Sequence, residues 1–342
     1  MEVLYYRDPT GKLNFGDDLN EIVWRELLPK HVFEVEDVML MGIGSIFNAD
    51  LAPLSRTRGK RVFVLGSGAG YWALPPGWEN WQILAVRGPL TAELIGKPEV
   101  AATDSAALLS VLPQIVSLAS ERTTTLFIPH HSSASYGQWE KVAAAAGMTF
   151  LDPRWPVPVV MDHFSRARLV VTEAMHGAIV ADTLRIPWIP ITIGPDTLPF
   201  KWRDWTLSLD LPYEPIIVPA SSGWEILHHR VLKRMAKADG LVSSALVQNA
   251  DSKAELIADF KERYKTVSAE TSKTVQISNG KKRILSVART ATSTFDEFFI
   301  SNAAKWIRKI ALGKSYLSKD SDFSRAINQL QEATNQFVKM VS

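Results

Sequence analysis

The sequence has 342 residues, 46% of them hydrophobic, and a formal net charge of +2 at pH 7. This length suits two domains, and the composition indicates a soluble chain that forms a core. No run of 18 apolar residues occurs, which excludes a membrane-spanning helix, and the absence of cysteine excludes disulfides and thiolate sites. The first residues, MEVLYYRDPT, lack the pattern of a signal peptide, so a cytoplasmic protein is predicted.

Charge, proline and tryptophan are unevenly distributed. Residues 251–342 hold 16 Lys and Arg against 10 Asp and Glu, and the last of the 19 prolines is Pro219. We therefore predict three parts: residues 1–118, residues 119–240, and a helical, basic tail of residues 241–342. Residues 266–294 are rich in Ser and Thr and are predicted to form a flexible segment. Residues 1–250 are net acidic and show no basic stripe, which argues against nucleic-acid binding.

The first part alternates short apolar strands with glycine-bearing loops. Strands are predicted at 3–6, 38–41, 61–65 and 83–86. The second and third strands run into GIGSIFN at 42–48 and GSGAG at 66–70, which are not dinucleotide or P-loop motifs. Glycines at strand ends let a ligand approach the backbone, so we predict a shared binding rim that includes Ser67.

The segment NFGDDLN at 14–20 precedes a helix predicted near 19–28. Asp17 or Asp18 is suited to cap that helix. The same carboxylates are also suited to bind sugar hydroxyls or to act as a base, and the sequence leaves both interpretations open. Asn14 and Gly16 are predicted to line the same site.

Arg87 stands at the end of the fourth strand. Its guanidinium is suited to bind a carboxylate or phosphate through two hydrogen bonds. The alternative is a salt bridge to Asp104 or another acid, and Asp104 itself is predicted to cap a helix at 105–112.

The second part continues the alternation of strands and helices, which predicts a parallel sheet. A strand at 124–128 ends before His130 and His131, and helices are predicted at 136–146 and 157–165. No partner at helical spacing supports a metal site at the two histidines, so no metal is predicted.

The segment from Arg166 to Ile191 contains the strongest candidate site. An apolar strand at 169–171 ends at Thr172 and Glu173, and a helix predicted at 175–185 follows. His176 and Gly177 therefore lie where a strand meets a helix N-terminus, the position at which α/β sheets bind anions. A histidine there is suited to bind phosphate or to transfer a proton near neutral pH. The alternative is that His176 only ends the strand.

Two basic residues and one helix complete the candidates. After a strand predicted at 188–191 the chain is predicted to form a loop, in which Lys201 and Arg203 are placed to complete an anion site. In the tail, a helix is predicted to present one apolar face beside Lys305, Arg308 and Lys309. That face either packs on the body or touches an anionic membrane surface. It is assigned Phe295, Phe298, Phe299, Trp306, Ile307 and Ile310.

These motifs together resemble the polysaccharide pyruvyl transferase family, in its bacterial exopolysaccharide, succinoglycan-type branch. The matching segments are NFGDDLN, the two glycine loops, VRGPLT at 86–91 and EAMHGAIVADTLRIPW at 173–188. The resemblance implies an α/β fold with two Rossmann-like domains facing a cleft, as in GT-B glycosyltransferases. It further implies an acceptor side within residues 1–118 and a donor side within residues 119–240.

The resemblance implies an enzyme that transfers pyruvate from phosphoenolpyruvate onto two sugar hydroxyls, forming a cyclic ketal and releasing phosphate without a metal or cofactor. His176 takes the place of the family's histidine, whereas Ala174 stands where many members have arginine. His176 is expected to act as the acid or to bind phosphate. Asp17 or Asp18 is expected to orient or deprotonate the acceptor, and Arg87 to bind the donor. The predicted substrate-binding residues also include Asn14, Gly16, Ser67, His130, His131, Glu173, Gly177, Lys201 and Arg203.

Two alternatives remain at this stage. One is a GT-B glycosyltransferase that uses a nucleotide sugar, and the other is a non-catalytic sugar-binding partner of a polysaccharide assembly complex. The expected acceptor is a sugar or a lipid-linked oligosaccharide, and a basic tail would suit an acceptor held at the cytoplasmic face of the inner membrane.

Overall fold

The computed structural model describes residues 1–194, 197–238, 252–265 and 295–342, and in these ranges the fold is mixed α/β with two parallel sheets. The first sheet has the order β1-β2-β3-β4, and its strands are β1 (Glu2–Leu4), β2 (Val38–Met41), β3 (Arg61–Ser67) and β4 (Gln82–Val86). The second sheet has the order β6-β5-β7-β8-β9, and its strands are β5 (Thr124–Ile128), β6 (Thr149–Phe150), β7 (Ala167–Thr172), β8 (Trp188–Thr192) and β9 (Ile216–Ile217).

Helices cover the faces of both sheets. In chain order they are α1 (Phe15–Leu27), α2 (Leu54–Thr57), α3 (Pro89–Leu94), α4 (His131–Tyr136), α5 (Trp139–Ala146), α6 (Val157–Ser165), α7 (Met175–Thr183), α8 (Pro199–Ser208), α9 (Gly223–Ala238), α10 (Lys253–Lys265), α11 (Asp296–Ile310) and α12 (Asp320–Val341). Short 3-10 helices lie at Lys30–Glu34, Trp78–Asn80, Pro98–Val100 and Ser105–Val111.

Each sheet is buried on both faces, which explains why its strands are continuous apolar runs. In β2, Val38 and Leu40 face a core shared with α1 and α12, whereas Met39 and Met41 face a second core. The second sheet divides in the same way, with α6 and α7 on one face and α5 and α11 on the other.

One core joins the two sheets. Residues from α1 and the 3-10 helix Ser105–Val111 pack with residues from α6 and α7 in the same buried cluster. The N-termini of α1 and α7 follow the carboxyl ends of β1 and β7, so the shared core brings two binding edges together. This contact positions the candidate site.

The strand predictions are confirmed, with no strand end shifted by more than two residues, but two helix predictions and one loop prediction are wrong. The helix predicted near 19–28 begins at Phe15, so Asp17 and Asp18 lie in its first turn and not at its cap. The helix predicted at 136–146 is divided at Gly137 into α4 and α5. The predicted loop around Lys201 is α8, which the pattern conceals because apolar side chains are buried on more than one side.

The tail helices pack on the body. The last helix, α12, contacts β3 and β4 of the first sheet, and α11 packs on α5 of the second part. The face predicted for α11 is wrong, because Ile307 and Ile310 are buried whereas Phe298 and Trp306 are exposed. The predicted flexible segment 266–294 lies outside the described residues. In the described part of the chain, no helix is both long enough and apolar enough to cross a membrane.

Candidate active site

The N-termini of α1 and α7 meet at the side chain of His176. A Cβ atom placed on Gly16 would overlap with the imidazole and would lie 2.7 Å from the Cβ of His176. The ring of Phe15 meets the imidazole edge-on, with ring centroids 6.5 Å apart. Gly16 is therefore the residue whose missing side chain makes room for the histidine. Gly16 and His176 are therefore in contact, and a shared role in binding substrate stays a prediction.

The imidazole of His176 is largely buried, with 16% of its side chain exposed. Its Nε2 atom lies 3.9 Å from Oδ1 of Asp104 and has no hydrogen-bond partner among the described residues. Burial, together with the positive charges of Lys201 and Arg87, lowers the pKa of His176 to about 3. In this structure the ring is therefore neutral near pH 7.

Asp104 is the site residue whose role sequence reasoning missed. Its Oδ1 accepts a hydrogen bond from the backbone N–H of Ala106 at 3.0 Å, which confirms the predicted cap. Its side chain is fully buried, and Oδ2 has no hydrogen-bond partner among the described residues. Burial raises the pKa of Asp104 to about 6. A cap is an ordinary duty for aspartate, and nothing local in the sequence distinguishes this one.

The two aspartates of NFGDDLN have different surroundings. Burial raises the pKa of Asp17 to about 7, opposed by the charge of Lys201 and assisted by Asp18 and Asp104. Asn14 donates a side-chain hydrogen bond to Asp17 at 2.6 Å and a backbone hydrogen bond to Asp18 at 3.0 Å. The pKa of Asp18 is raised mainly by burial, and its charged neighbours are Arg7 and Glu21. Asp17 thus belongs to the cluster around His176, whereas Asp18 faces charged residues outside that cluster.

Lys201 supplies positive charge to this cluster. Its Nζ donates a hydrogen bond to the hydroxyl of Tyr71 at 2.5 Å, and its charge acts on the pKa of His176, Asp17 and Asp104. Arg203 lies two positions along α8, where its charge acts on the pKa of Tyr213. A helix places residues two apart on different sides, so the two side chains leave α8 in different directions. Anion binding by Lys201 and Arg203 stays a prediction.

Arg87 is fully buried and connects the end of β4 to α8. Its Nε lies 3.2 Å from Asp204 of α8, and the guanidinium also donates to Ser45 at 2.5 Å and to the carbonyl of Ala69 at 2.6 Å. Asp204 in turn accepts hydrogen bonds from the backbone of Leu90 and Thr91 at the start of α3. Arg87 therefore pairs with Asp204 and not with Asp104. Direct donor binding by Arg87 stays a prediction.

The glycine loops at 42–48 and 66–70 lie next to each other, and the first contacts Asp17. Gly44 has a φ of +103°, and a Cβ atom on it would lie 3.1 Å from Oδ1 of Asp17. Ser67 is fully buried, donates to the carbonyl of Gly44 at 3.0 Å and accepts from the N–H of Ile46 at 3.3 Å. Its hydroxyl thus joins the two loops, and substrate binding by Ser67 stays a prediction.

Glu173 organises the edge of the second sheet. Its carboxylate accepts backbone hydrogen bonds from His130 at 3.0 Å, Ile193 at 2.9 Å and Gly194 at 3.0 Å, and burial raises its pKa. Because three backbone N–H groups bond to this buried carboxylate, Glu173 positions the loops that follow β5 and β8. Substrate contact by Glu173 stays a prediction.

Three further predicted residues lie nearby. The ring of His130 contacts that of His131 with centroids 4.2 Å apart, and burial and the charges of His131 and Lys201 hold its pKa well below the usual range. A Cβ atom on Gly177 would lie 2.5 Å from Oγ1 of Thr172, so this glycine permits close packing of α7 on β7. Ligand contact by these three residues stays a prediction. Within the described ranges, no three His, Asp or Glu side chains are grouped to hold a metal ion.

Comparisons with known proteins identify a family for this chain. The family described as polysaccharide pyruvyl transferase matches residues 6–195, which contain every residue of the cluster except Lys201. The succinoglycan biosynthesis protein ExoV of Rhizobium meliloti (strain 1021) is 36% identical over 230 residues, which cover 66% of this chain and 71% of that protein. No solved structure matches the chain significantly.

Proposed function

The chain belongs to the polysaccharide pyruvyl transferase family and is a transferase enzyme, and from this premise we propose that it transfers pyruvate from phosphoenolpyruvate onto two hydroxyls of one sugar. The product is a cyclic pyruvate ketal on an exopolysaccharide repeat unit. The acceptor class follows the relative, whose name places it in succinoglycan biosynthesis. The observation that carries the proposal is the cluster of His176, Asp104, Asp17 and Lys201 where the two sheet edges meet.

The reaction sets clear chemical demands. The methylene carbon of the donor gains one proton, two carbon–oxygen bonds form to the sugar, and the bond from C2 to the phosphate oxygen breaks. The two sugar hydroxyls release two protons, one of which balances the proton added to carbon while the other leaves with phosphate. The site must therefore bind an anion, supply a proton and accept protons.

Lys201 is the cation that we assign to the donor. Ala174 stands where many family members carry arginine, and Lys201 brings an ammonium group to the same cluster. The N-terminus of α7 adds partial positive charge from its backbone N–H groups. Two other cations, Arg166 and Arg168, lie at the start of β7, which is the end of the strand away from His176. Arg166 bonds to Asp162 and Arg168 to the carbonyl of Thr123, so we do not assign them to the donor.

His176 is assigned the proton for the methylene carbon. Its pKa is about 3 because it is buried beside positive charges, and a bound phosphate and carboxylate would offset those charges. We therefore propose that the imidazole takes up a proton as the donor binds. Asp104, whose Oδ1 lies 3.9 Å from Nε2 of His176, is placed to stabilise the imidazolium.

Asp17 is assigned the hydroxyl protons. A carboxyl group with a pKa of about 7 is matched to proton transfer near neutral pH, and Asp17 lies in the same cluster as His176. This choice favours Asp17 over Asp18, whose charged neighbours lie elsewhere. The proposal requires no metal and no cofactor, and it places the enzyme in the cytoplasm, where phosphoenolpyruvate is produced.

The proposal also includes a GT-B-like arrangement. Two parallel sheets with helices on both faces present their carboxyl edges to one site, and α12 returns from the second part to the first sheet. We assign the acceptor to the domain of residues 1–118 and the donor to the domain of residues 119–240, because α1 carries Asp17 and α7 carries His176.

The first experiment measures thermal unfolding of the full chain with phosphoenolpyruvate, UDP-sugars and GDP-sugars. A ligand that binds only the folded state raises the midpoint. We expect a rise with phosphoenolpyruvate that His176→Ala loses and that His31→Ala, an exposed control on the first part, retains. A rise only with a nucleotide sugar would instead favour the glycosyltransferase.

The second experiment follows the chemistry with a lipid-linked oligosaccharide acceptor. In D2O the ketal methyl group should carry one deuterium, and release of inorganic phosphate should match ketal formation. Retained phosphate release by His176→Ala would refute the role of His176. Donor and acceptor binding without phosphate release would favour the non-catalytic sugar-binding partner.

A further inference from the structure

Helix α11 has two apolar faces, and only one of them packs on the protein. Ile300, Ala303 and Ile307 are buried against α5. On the outward side, Phe298 is 70% exposed and Trp306 is 45% exposed. We call the outward residues the α11 outer face: Phe295, Phe298, Lys305, Trp306, Lys309 and Leu312.

The α11 outer face combines aromatic rings with lysines. At 100° per residue, Phe298, Lys305 and Lys309 lie within one narrow sector, and Phe295 and Trp306 lie in the next. Both lysines are exposed, whereas the neighbouring Arg308 donates a hydrogen bond to the carbonyl of Ala145 on α5. Exposed apolar clusters of this kind mark interaction surfaces.

We propose that the α11 outer face binds the surface of an anionic membrane. Exposed aromatic rings flanked by lysines are typical of helices that lie in the lipid interface, with the rings inserted and the ammonium groups among anionic headgroups. Protein–protein interfaces are depleted in lysine, which argues against a protein partner for this face.

The acidic residues of α11 do not oppose this orientation. Asp296 lies on the inner side, where Gln138 donates to its carboxylate at 3.4 Å, and Glu297 is turned about 100° from Phe298. The outer face thus presents only positive charge among its charged residues. A chain bound in this way would work beside acceptors carried on lipid, but membrane binding itself does not depend on the proposed pyruvyl transfer.

The test is co-sedimentation of the full chain with vesicles of phosphatidylcholine, with or without phosphatidylglycerol, in the absence of donor and acceptor. We expect binding only to vesicles that contain phosphatidylglycerol, weakened by salt. Lys305→Glu with Lys309→Glu should lower the partition coefficient by about tenfold or more. Phe298→Ser with Trp306→Ser should lower it by a similar factor. The matched controls, Lys339→Glu and Val159→Ser, change exposed residues on α12 and α6 and should leave it unchanged.

Three outcomes would overturn the proposal. They are no binding to either vesicle, equal binding to both, and loss of binding in the control variants. Self-association of the chain in sedimentation velocity that Phe298→Ser abolishes would instead assign the α11 outer face to contact between copies. Because the changed side chains are exposed, each variant should fold. Circular dichroism and thermal unfolding of each variant check this.

Discussion

Replacing Gly16 by alanine should disable the site while leaving the fold intact. The added Cβ would lie 2.7 Å from the Cβ of His176 and would overlap with the imidazole. Because carbon atoms pack at about 3.5 Å or more, the histidine must move by about 1 Å or rotate out of the site. A misplacement of about 1 Å at a catalytic group costs about 100-fold in rate. We expect a loss of this size in kcat for phosphate release, together with a smaller donor-induced shift in Tm.

The stability change separates this effect from unfolding. Alanine in a helix is favoured over glycine by about 1 kcal/mol, while overpacking costs about 1–3 kcal/mol, so the net loss should be about 2 kcal/mol or less. The matched control is Gly137→Ala, whose Cβ would overlap with Trp139 and lie 2.7 Å from Oγ of Ser221, without contact to His176. It should lower Tm and keep kcat. Wild-type kcat in Gly16→Ala would refute the assignment of the imidazole contact to catalysis.

Three further predictions follow from the same cluster. Folding raises the pKa of Asp104 to about 6. The stability that goes with the protonated carboxyl is therefore present below the pKa of the unfolded chain, and it is lost as the pH rises through about 6. Asp104→Asn should therefore raise Tm at about pH 8 and change it little at about pH 4, and a Tm difference independent of pH would contradict this. Lys201→Met should raise KM for phosphoenolpyruvate about tenfold or more, whereas Arg203→Met should change it by less than about twofold; equal effects would remove Lys201 from the donor site. Asp204→Ala leaves the buried Arg87 without its carboxylate and should cost about 3–5 kcal/mol in urea unfolding, so an unchanged midpoint would show that the pair is not needed.

The strands and most glycine loops could be predicted because their signals are local. A short β-branched or apolar run identifies a strand, and such runs placed β2, β3, β5 and β7 within two residues of their observed bounds. Glycine marks the end of β2 and of β3. The position of His176 at the start of a helix was predictable for the same reason. Each inference uses fewer than about ten neighbouring residues.

The rest depends on contacts between distant residues. Arg87 pairs with Asp204 across 117 positions, and no local pattern distinguishes that partner from Asp104. The helix α8 was missed because Phe200 is buried in one core and Trp202 and Trp205 in another, so its apolar residues do not form a single stripe. The single apolar face predicted for α11 is wrong because α11 packs on α5, which buries Ile307 and Ile310 and leaves Phe298 and Trp306 exposed.

The cluster around His176 departs from what stability alone would favour. Among the residues that the structure describes, one buried carboxylate oxygen of Asp104 and one buried nitrogen of His176 have no hydrogen-bond partner, although such groups normally find one. A neutral pair of apolar residues would avoid this desolvation cost. The cluster also places Lys201 where its charge lowers the pKa of the imidazole, so positive charge accumulates beside a ring that stays neutral. An anionic ligand resolves both features at once, because it pairs with the cations and restores the proton affinity of His176. The arrangement therefore favours a site that becomes electrostatically balanced only when its donor is bound.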